Sequence, residues 1–158
     1  ILKTMKQSLD QLNECRKKEG SALMIAISGY INRILKISKQ LVVLENKRRK
    51  RRKLKIVNQI KSAELEFSSS RLEAEMIYYF ERNDITEERI RLNHHCEFFL
   101  DVMKNEKVMG KKLIFISQEI LREINTIGSK ANDFEIQKRV VQMKEQVEKT
   151  KEQLQNIL

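Results

Sequence analysis

Apolar residues recur at three- and four-residue spacings through most of the chain. Leu2, Met5, Leu9, Leu12 and Cys15 form one stripe; beyond Gly20 the pattern resumes at Leu23, Ile27, Ile31, Ile34 and Leu41. Such spacing lines one face of an α-helix and predicts a long helix over residues 2–47. Gly20 and Gly29 each cost about 1 kcal/mol against alanine in a helix, which marks them as places for a bend. A run of cations follows, and Leu54, Ile56, Val57 and Ile60 carry the helical pattern on to about Glu64. Phe67-Ser68-Ser69-Ser70 reads as a connector, with a serine to cap a helix from Arg71 to about Arg82. Asp84 with Glu87 resembles a capping box opening a helix to about Lys104. Asn105 to Gly110 is a loop, a further helix covers Lys111 to Lys130, and Asn132 or Asp133 caps a last one running to about Asn156. That gives five or six helices and no strand.

Composition sharpens this picture. The chain has 158 residues, no proline and only four glycines, so the turn punctuation of sandwiches, barrels and Rossmann-like sheets is missing. P-loops and GxGxxG loops are excluded for the same reason. The expected fold is all-α, with long helices in an elongated hairpin or bundle. Its narrow apolar stripes call for further copies of the chain to cover them. Residues 1–66 read as a long helical segment and 67–158 as a helical domain. The two cysteines are too few for a disulfide framework or a zinc site of their own, and a reducing compartment is the simpler reading. The longest apolar run, Ala22 to Ile27, is far short of a membrane span. The chain opens with Ile1 rather than methionine, which leaves room for a preceding segment.

Charge then singles out one place. Lys47, Arg48, Arg49, Lys50, Arg51, Arg52, Lys53 and Lys55 lie within nine residues, against a formal net charge of +10 for the whole chain. The basicity is therefore a patch, suited to a polyanion. Contact with RNA or DNA, a solvated helix face with cations all round its circumference, and an anionic membrane surface all remain open. Aromatic interleaving is sparse, so base stacking is not indicated.

Two further features carry candidate chemistry. On the helix Lys111–Lys130, Glu119 and Glu123 are i,i+4 neighbours flanked by Lys112, Arg122 and Lys130. Like charges at that spacing repel unless a cation lies between them. A divalent metal would serve; so would a basic side chain in an ion-pair network. His95 shares a helix face with Leu92, Phe99 and Val102, with Glu88 two turns before it, while His94 points the other way. His95 is either a packed core histidine or a ligand or base. Cys96 reads as packing.

Four stretches carry a family resemblance. Arg16-Lys17-Lys18-Glu19-Gly20 with Leu23 is similar to R-x-x-E-G-x-x-L. Asp84-Ile85-Thr86-Glu87-Glu88 with Arg91, Leu92 and His95 is similar to D-I-x-E-E-x-x-R-L-x-x-H. Gly110 to Lys130 is similar to G-x-K-L-D-F-x-x-Q-E-x-x-R-E-x-N-T-x-x-S-K, and Glu152 to Ile157 to E-Q-x-Q-N-I. Together they resemble the YicC/YloC family. The resemblance implies a cytoplasmic, bacterial, metal-dependent endoribonuclease that assembles as a homo-hexamer, with this chain corresponding to its C-terminal helical part and lacking the family's N-terminal α/β domain. Ile114 stands where the pattern has aspartate, and Leu158 where it ends in glutamate. Carried over, the functional candidates are His95, Glu119, Arg122, Glu123, Lys130 and Asp133. The expectation is that Glu119 and Glu123, with Asp133, hold Mg²⁺ or Mn²⁺ for RNA phosphodiester hydrolysis, and that His95 acts as an acid, a base or an orienting group. Lys112, Arg122 and Lys130 would face phosphates beside the basic block from Lys47 to Lys53. The alternative is a non-catalytic RNA-binding or oligomerisation module.

Overall fold

The structure is a computed structural model and describes residues 2–62, 69–106 and 109–155. Five helices account for nearly all of them: α1 (Leu2–Ser62), α2 (Ser69–Arg82), α3 (Thr86–Asn105), α4 (Gly110–Lys130) and α5 (Phe134–Gln155). There is no strand among the described residues, so the chain is all-α. Helix α1 runs through both Gly20 and Gly29 without interruption, and its 61 residues extend to about 90 Å. No side chain or backbone crowds either glycine, and nothing in the packing explains them. Of the expected connector, Phe67 and Ser68 lie outside the described residues, as do Asn156 to Leu158, while Ser69 and Ser70 already belong to α2, which begins two residues before the expected Arg71.

Four helices close a ring. α3 packs on α4, α4 on α5, α5 on α1, and α1 on α3. The stripe Ile27, Ile31, Ile34 and Leu41 of α1 is fully buried there. It meets Leu92, Cys96 and Phe99 of α3, Ile116, Ile120 and Ile124 of α4, and Ile136, Val140 and Met143 of α5 in one core. Each such side chain contributes roughly 1.5–3 kcal/mol of transfer free energy. Gly128 lets α4 approach α5, since a Cβ there would stand 3.2 Å from Cγ1 of Val140. Burial pushes the Cys96 thiol up to about 12, with the Glu97 charge adding to it, so this cysteine is a packing residue.

The turns follow from local chemistry. Asp84 accepts hydrogen bonds from the backbone N–H and hydroxyl of Thr86 at the start of α3. Glu87 does not complete a capping box; it pairs with Arg91 one turn on. Asp133 accepts from the N–H groups of Glu135 and Ile136 and so caps α5. The first third of α1 behaves differently. From Lys3 to Glu19 every residue is exposed, including Met5, Leu9 and Leu12, and none of the described residues covers that stripe.

Candidate functional site

The buried stripe of α1 does not stop where the apolar residues do. Continued at three- and four-residue steps, Ile34, Ser38 and Leu41 lead to Glu45, Arg48 and Arg52. Arg48 is consequently drawn inward, its side chain only 14% exposed beside an equally sheltered Glu45. Its Nη2 donates to Glu45 at 2.9 Å and to the carbonyl of Asn83 at 2.5 Å, and its Nη1 to the carbonyl of Lys130 at 3.4 Å. One guanidinium thus ties α1 to the α2–α3 turn and to the end of α4. Arg49 donates to Glu45 and pairs with Asp84 at 2.9 Å. Arg51 pairs with Asp133 at 2.7 Å, and Arg52 stacks over the ring of Tyr79 at 4.8 Å. Lys130 reaches back to Glu88 at 2.6 Å.

The electrostatics agree with this geometry. Burial opposes the charged form of Asp84, yet the Thr86 hydrogen bonds and the Arg49 charge outweigh it and hold the carboxyl below its usual range. Burial likewise works against charged Arg49, but Glu45 and Asp84 overcome it and raise its pKa. Asp84 and Asp133 also sit at helix N-termini, where negative charge is favoured.

The expectation of cations solvated around the whole circumference therefore fails for Arg48 and in part for Arg49, and holds for the lysines and for the exposed though partnered Arg51 and Arg52. Lys47, Lys50, Lys53 and Lys55 are exposed and have no hydrogen-bond or ion-pair partner among the described residues. Arg48, Arg49, Arg51 and Arg52 all have partners inside the chain, on Glu45, the α2–α3 turn, Tyr79, Lys130 and Asp133. The step from Leu41 through Glu45 to Arg48 was the signal for this, and Glu45, Asn83 and Tyr79 are site residues that sequence reasoning missed.

The second candidate set lies farther along α4. Glu119 is part-exposed and makes one long contact, 3.9 Å, with Arg122. Glu123 is a largely covered residue with no hydrogen-bond or ion-pair partner among the described residues, and its carboxylate oxygens reach the surface. The ion-pair network that would neutralise these two carboxylates is thus reduced to that single contact. Arg122 itself is 76% exposed and open to an anion. Lys112 and Lys130, by contrast, are committed: Lys112 pairs with Glu106 and lies 5.1 Å from the Phe98 ring centroid, and Lys130 holds Glu88.

The Glu88–Lys130 pair also fixes the register of the antiparallel α3–α4 hairpin. His95 lies seven residues after Glu88, and Glu123 seven before Lys130, so both stand about 10 Å from that pair along their helices. His95 is half-buried rather than fully inside, and His94 is exposed. Asp133 is not brought to the acidic pair; it caps α5 and binds Arg51, roughly 15–20 Å away along α4 from Glu119 and Glu123. Among the described residues no three His, Cys, Asp or Glu side chains gather as a metal site. Ile114 packs half-buried against the core and supplies no donor where the family pattern has a carboxylate. Glu119 and Glu123 thus stand as two carboxylates one turn apart, with no third protein carboxylate, histidine or cysteine gathered beside them among the described residues.

Comparison with known proteins agrees with this arrangement. Residues 37–158 match the family described as Endoribonuclease YicC-like, C-terminal. The chain is 33% identical to a probable endoribonuclease YicC of Clostridioides difficile over 160 residues, which covers 97% of the chain and 53% of that relative. It is 34% identical to a probable endoribonuclease YicC of Haemophilus influenzae over 103 residues, covering 65% of the chain and 36% of that protein. It therefore spans about half the length of the first relative and about a third of the second. No described helix is long and apolar enough to cross a membrane. The match over residues 37–158, which takes in the arginine junction, the α3–α4 hairpin and the acidic pair, shows that this chain belongs to the YicC-like endoribonuclease family, in its C-terminal part.

Proposed function

We propose that this chain is the helical part of a cytoplasmic, metal-dependent endoribonuclease that hydrolyses RNA phosphodiester bonds as a homo-oligomer. The observation that carries the reading is the acidic pair: Glu123, a largely covered residue whose carboxylate oxygens reach the surface and meet no counter-charge among the described residues, stands one turn from the part-exposed Glu119. Like charges one turn apart repel unless a cation lies between them, and a ligand cation would relieve that repulsion. Mg²⁺ or Mn²⁺ held there would supply Lewis-acid stabilisation of the phosphate oxygens and of the leaving oxygen. Glu119 and Glu123 hold and orient that cation. Arg122, exposed on the next face of α4, donates to the phosphate. His95, at the same level of the hairpin as Glu123, takes or gives the proton at the reacting oxygen. Lys47, Lys50 and Lys53 steer the anionic strand through long-range attraction.

The test is Glu119→Gln and Glu123→Gln, made in this chain and in one extended to the full span of its relatives. Cleavage of a labelled RNA should depend on added Mg²⁺ or Mn²⁺, stop with a chelator, and fall by about two or more orders of magnitude in each variant, equivalent to roughly 3 kcal/mol of transition-state stabilisation. Fold and RNA binding should persist. Parent-rate cleavage by both variants in the extended protein would make the acidic pair architecture and leave this chain a non-catalytic RNA-binding module.

A further inference from the structure

Beside the arginine junction lies a pocket of about 60 Å³, walled by Arg48, Arg49 and Arg52 of α1, Tyr79 and Phe80 of α2, Asn83, and Asn132 of the α4–α5 turn. Several waters could fill that volume, and so could one tetrahedral oxyanion. The walls differ in how far their donors are spent. Three of Arg48's N–H groups are used on Glu45, Asn83 and Lys130, which makes it the fixed floor. Arg49 uses Nε and Nη2 on Glu45 and Asp84, leaving Nη1 unspent. Arg52 makes no hydrogen bond to the protein among the described residues; it is held by stacking on Tyr79. A guanidinium stacked through its face keeps its N–H edge free in a fixed orientation, the geometry that bidentate phosphate binding needs. Asn132 is exposed, and its amide has no partner among the described residues either. Three cations against Glu45 and Asp84 leave a local excess of one positive charge, before the exposed lysines are counted.

We propose that this pocket is a phosphate-binding site that anchors RNA by one phosphate group, separately from the acidic pair on α4. Arg52 and Arg49 donate to the phosphate, Asn132 completes the cradle, and Tyr79 holds Arg52 in place. Asn132 and Glu123 are nine residues apart in sequence, most of them helical, so the anchor and the acidic pair stand roughly 10–15 Å apart along α4. The strand held at one is thereby placed a short, fixed distance from the other. The assignment of RNA as the source of the phosphate rests on the function proposed above; the pocket's affinity for phosphate does not.

The test reads the arginine side chains directly. In ¹⁵N-labelled chain with chelator present, inorganic phosphate at constant ionic strength should shift the Nε–H resonances of Arg49 and Arg52 saturably, and leave Arg33 and Arg139 unmoved. Arg52→Gln, at an exposed position, should weaken phosphate binding roughly ten-fold or more; Tyr79→Leu, which keeps the Arg52 charge but removes the ring that orients it, should weaken it less. The same oligoribonucleotide with a 5′-phosphate or a 5′-hydroxyl then separates the sources: tighter binding of the first makes the anchor a chain-end site, equal binding an internal-phosphate site. Uniform drift of all arginine resonances, or phosphate binding unchanged in Arg52→Gln, overturns the proposal. Because every arm measures binding without metal, loss of the hydrolytic reading would leave these results intact.

Discussion

Helix α4 carries two acidic neighbourhoods that obey different rules. At its C-terminal end the nearby carboxylates are matched: Glu45 with Arg48 and Arg49, Asp84 with Arg49, Glu88 with Lys130, Asp133 with Arg51. Two turns back, among the described residues, Glu123 has no partner and Glu119 one distant one. The first arrangement gives each sheltered carboxylate a counter-charge, as stability requires, although the second oxygens of Glu45 and Glu88 stay enclosed without a hydrogen bond. The second leaves two carboxylates that reach solvent and face almost no counter-charge among the described residues.

The contrast can be broken most forcefully at Arg48. Arg48→Ala removes three hydrogen bonds at once and leaves Glu45 sheltered without its main partner, so it should cost about 3 kcal/mol or more in urea denaturation. A change under about 1 kcal/mol would mean the junction is a surface feature. Glu88→Gln comes next, with an expected loss of about 1–2 kcal/mol as Lys130 loses its charged acceptor. Glu123→Gln should move the other way or stay within about 0.5 kcal/mol, because it discharges a carboxylate that has no described counter-charge. Equal destabilisation by Glu88→Gln and Glu123→Gln would erase the distinction between the two neighbourhoods.

Acid sharpens the same point. Because folding holds the Asp84 carboxyl below its usual range, its contribution to stability is complete above about pH 4. It is lost as the pH falls through the lowered folded value. The side chain is 39% exposed, so solvent screening keeps the effect small; Asp84→Asn should flatten the acid limb of a stability–pH curve slightly and leave the neutral limb unchanged. The smallest effect on stability belongs to the lysines. Lys50→Gln with Lys53→Gln should leave the stability read from urea denaturation within about 0.5 kcal/mol. The same pair should flatten the slope of log K against log[salt] for single-stranded RNA by about 0.7 for each phosphate that is no longer neutralised. An unchanged slope would make the outer face of the basic block a bystander.

Much of this was legible in the sequence alone. The 3.6-residue spacing, with the serine connector and the Asp84 start signal, located the helices, and a cap for α5 was readable at Asn132 or Asp133 because a short acceptor before an apolar run has few other uses. The paired Glu119 and Glu123 were also visible. What could not be read was which charges face inward. A row of Arg and Lys looks uniform in one dimension, and only the phase inherited from Ile34 and Leu41 sorts Arg48 from Lys50. The partners of those arginines, Asn83, Asp84, Asp133 and Tyr79, are brought in from distant parts of the chain, and no local periodicity encodes such pairings.

The uncovered beginning of α1 has a consequence for how the molecule breathes. Between Lys3 and Glu19 the helix is supported by backbone propensity alone, and a stretch of that length is marginal in water. Its amide protons should therefore exchange with solvent rapidly, while those between Ile27 and Arg48 exchange only with opening of the bundle. One continuous rod would thus show a gradient of protection with its step near Leu23, and any molecule that docks on Met5, Leu9 and Leu12 would announce itself by moving that step toward the N-terminus.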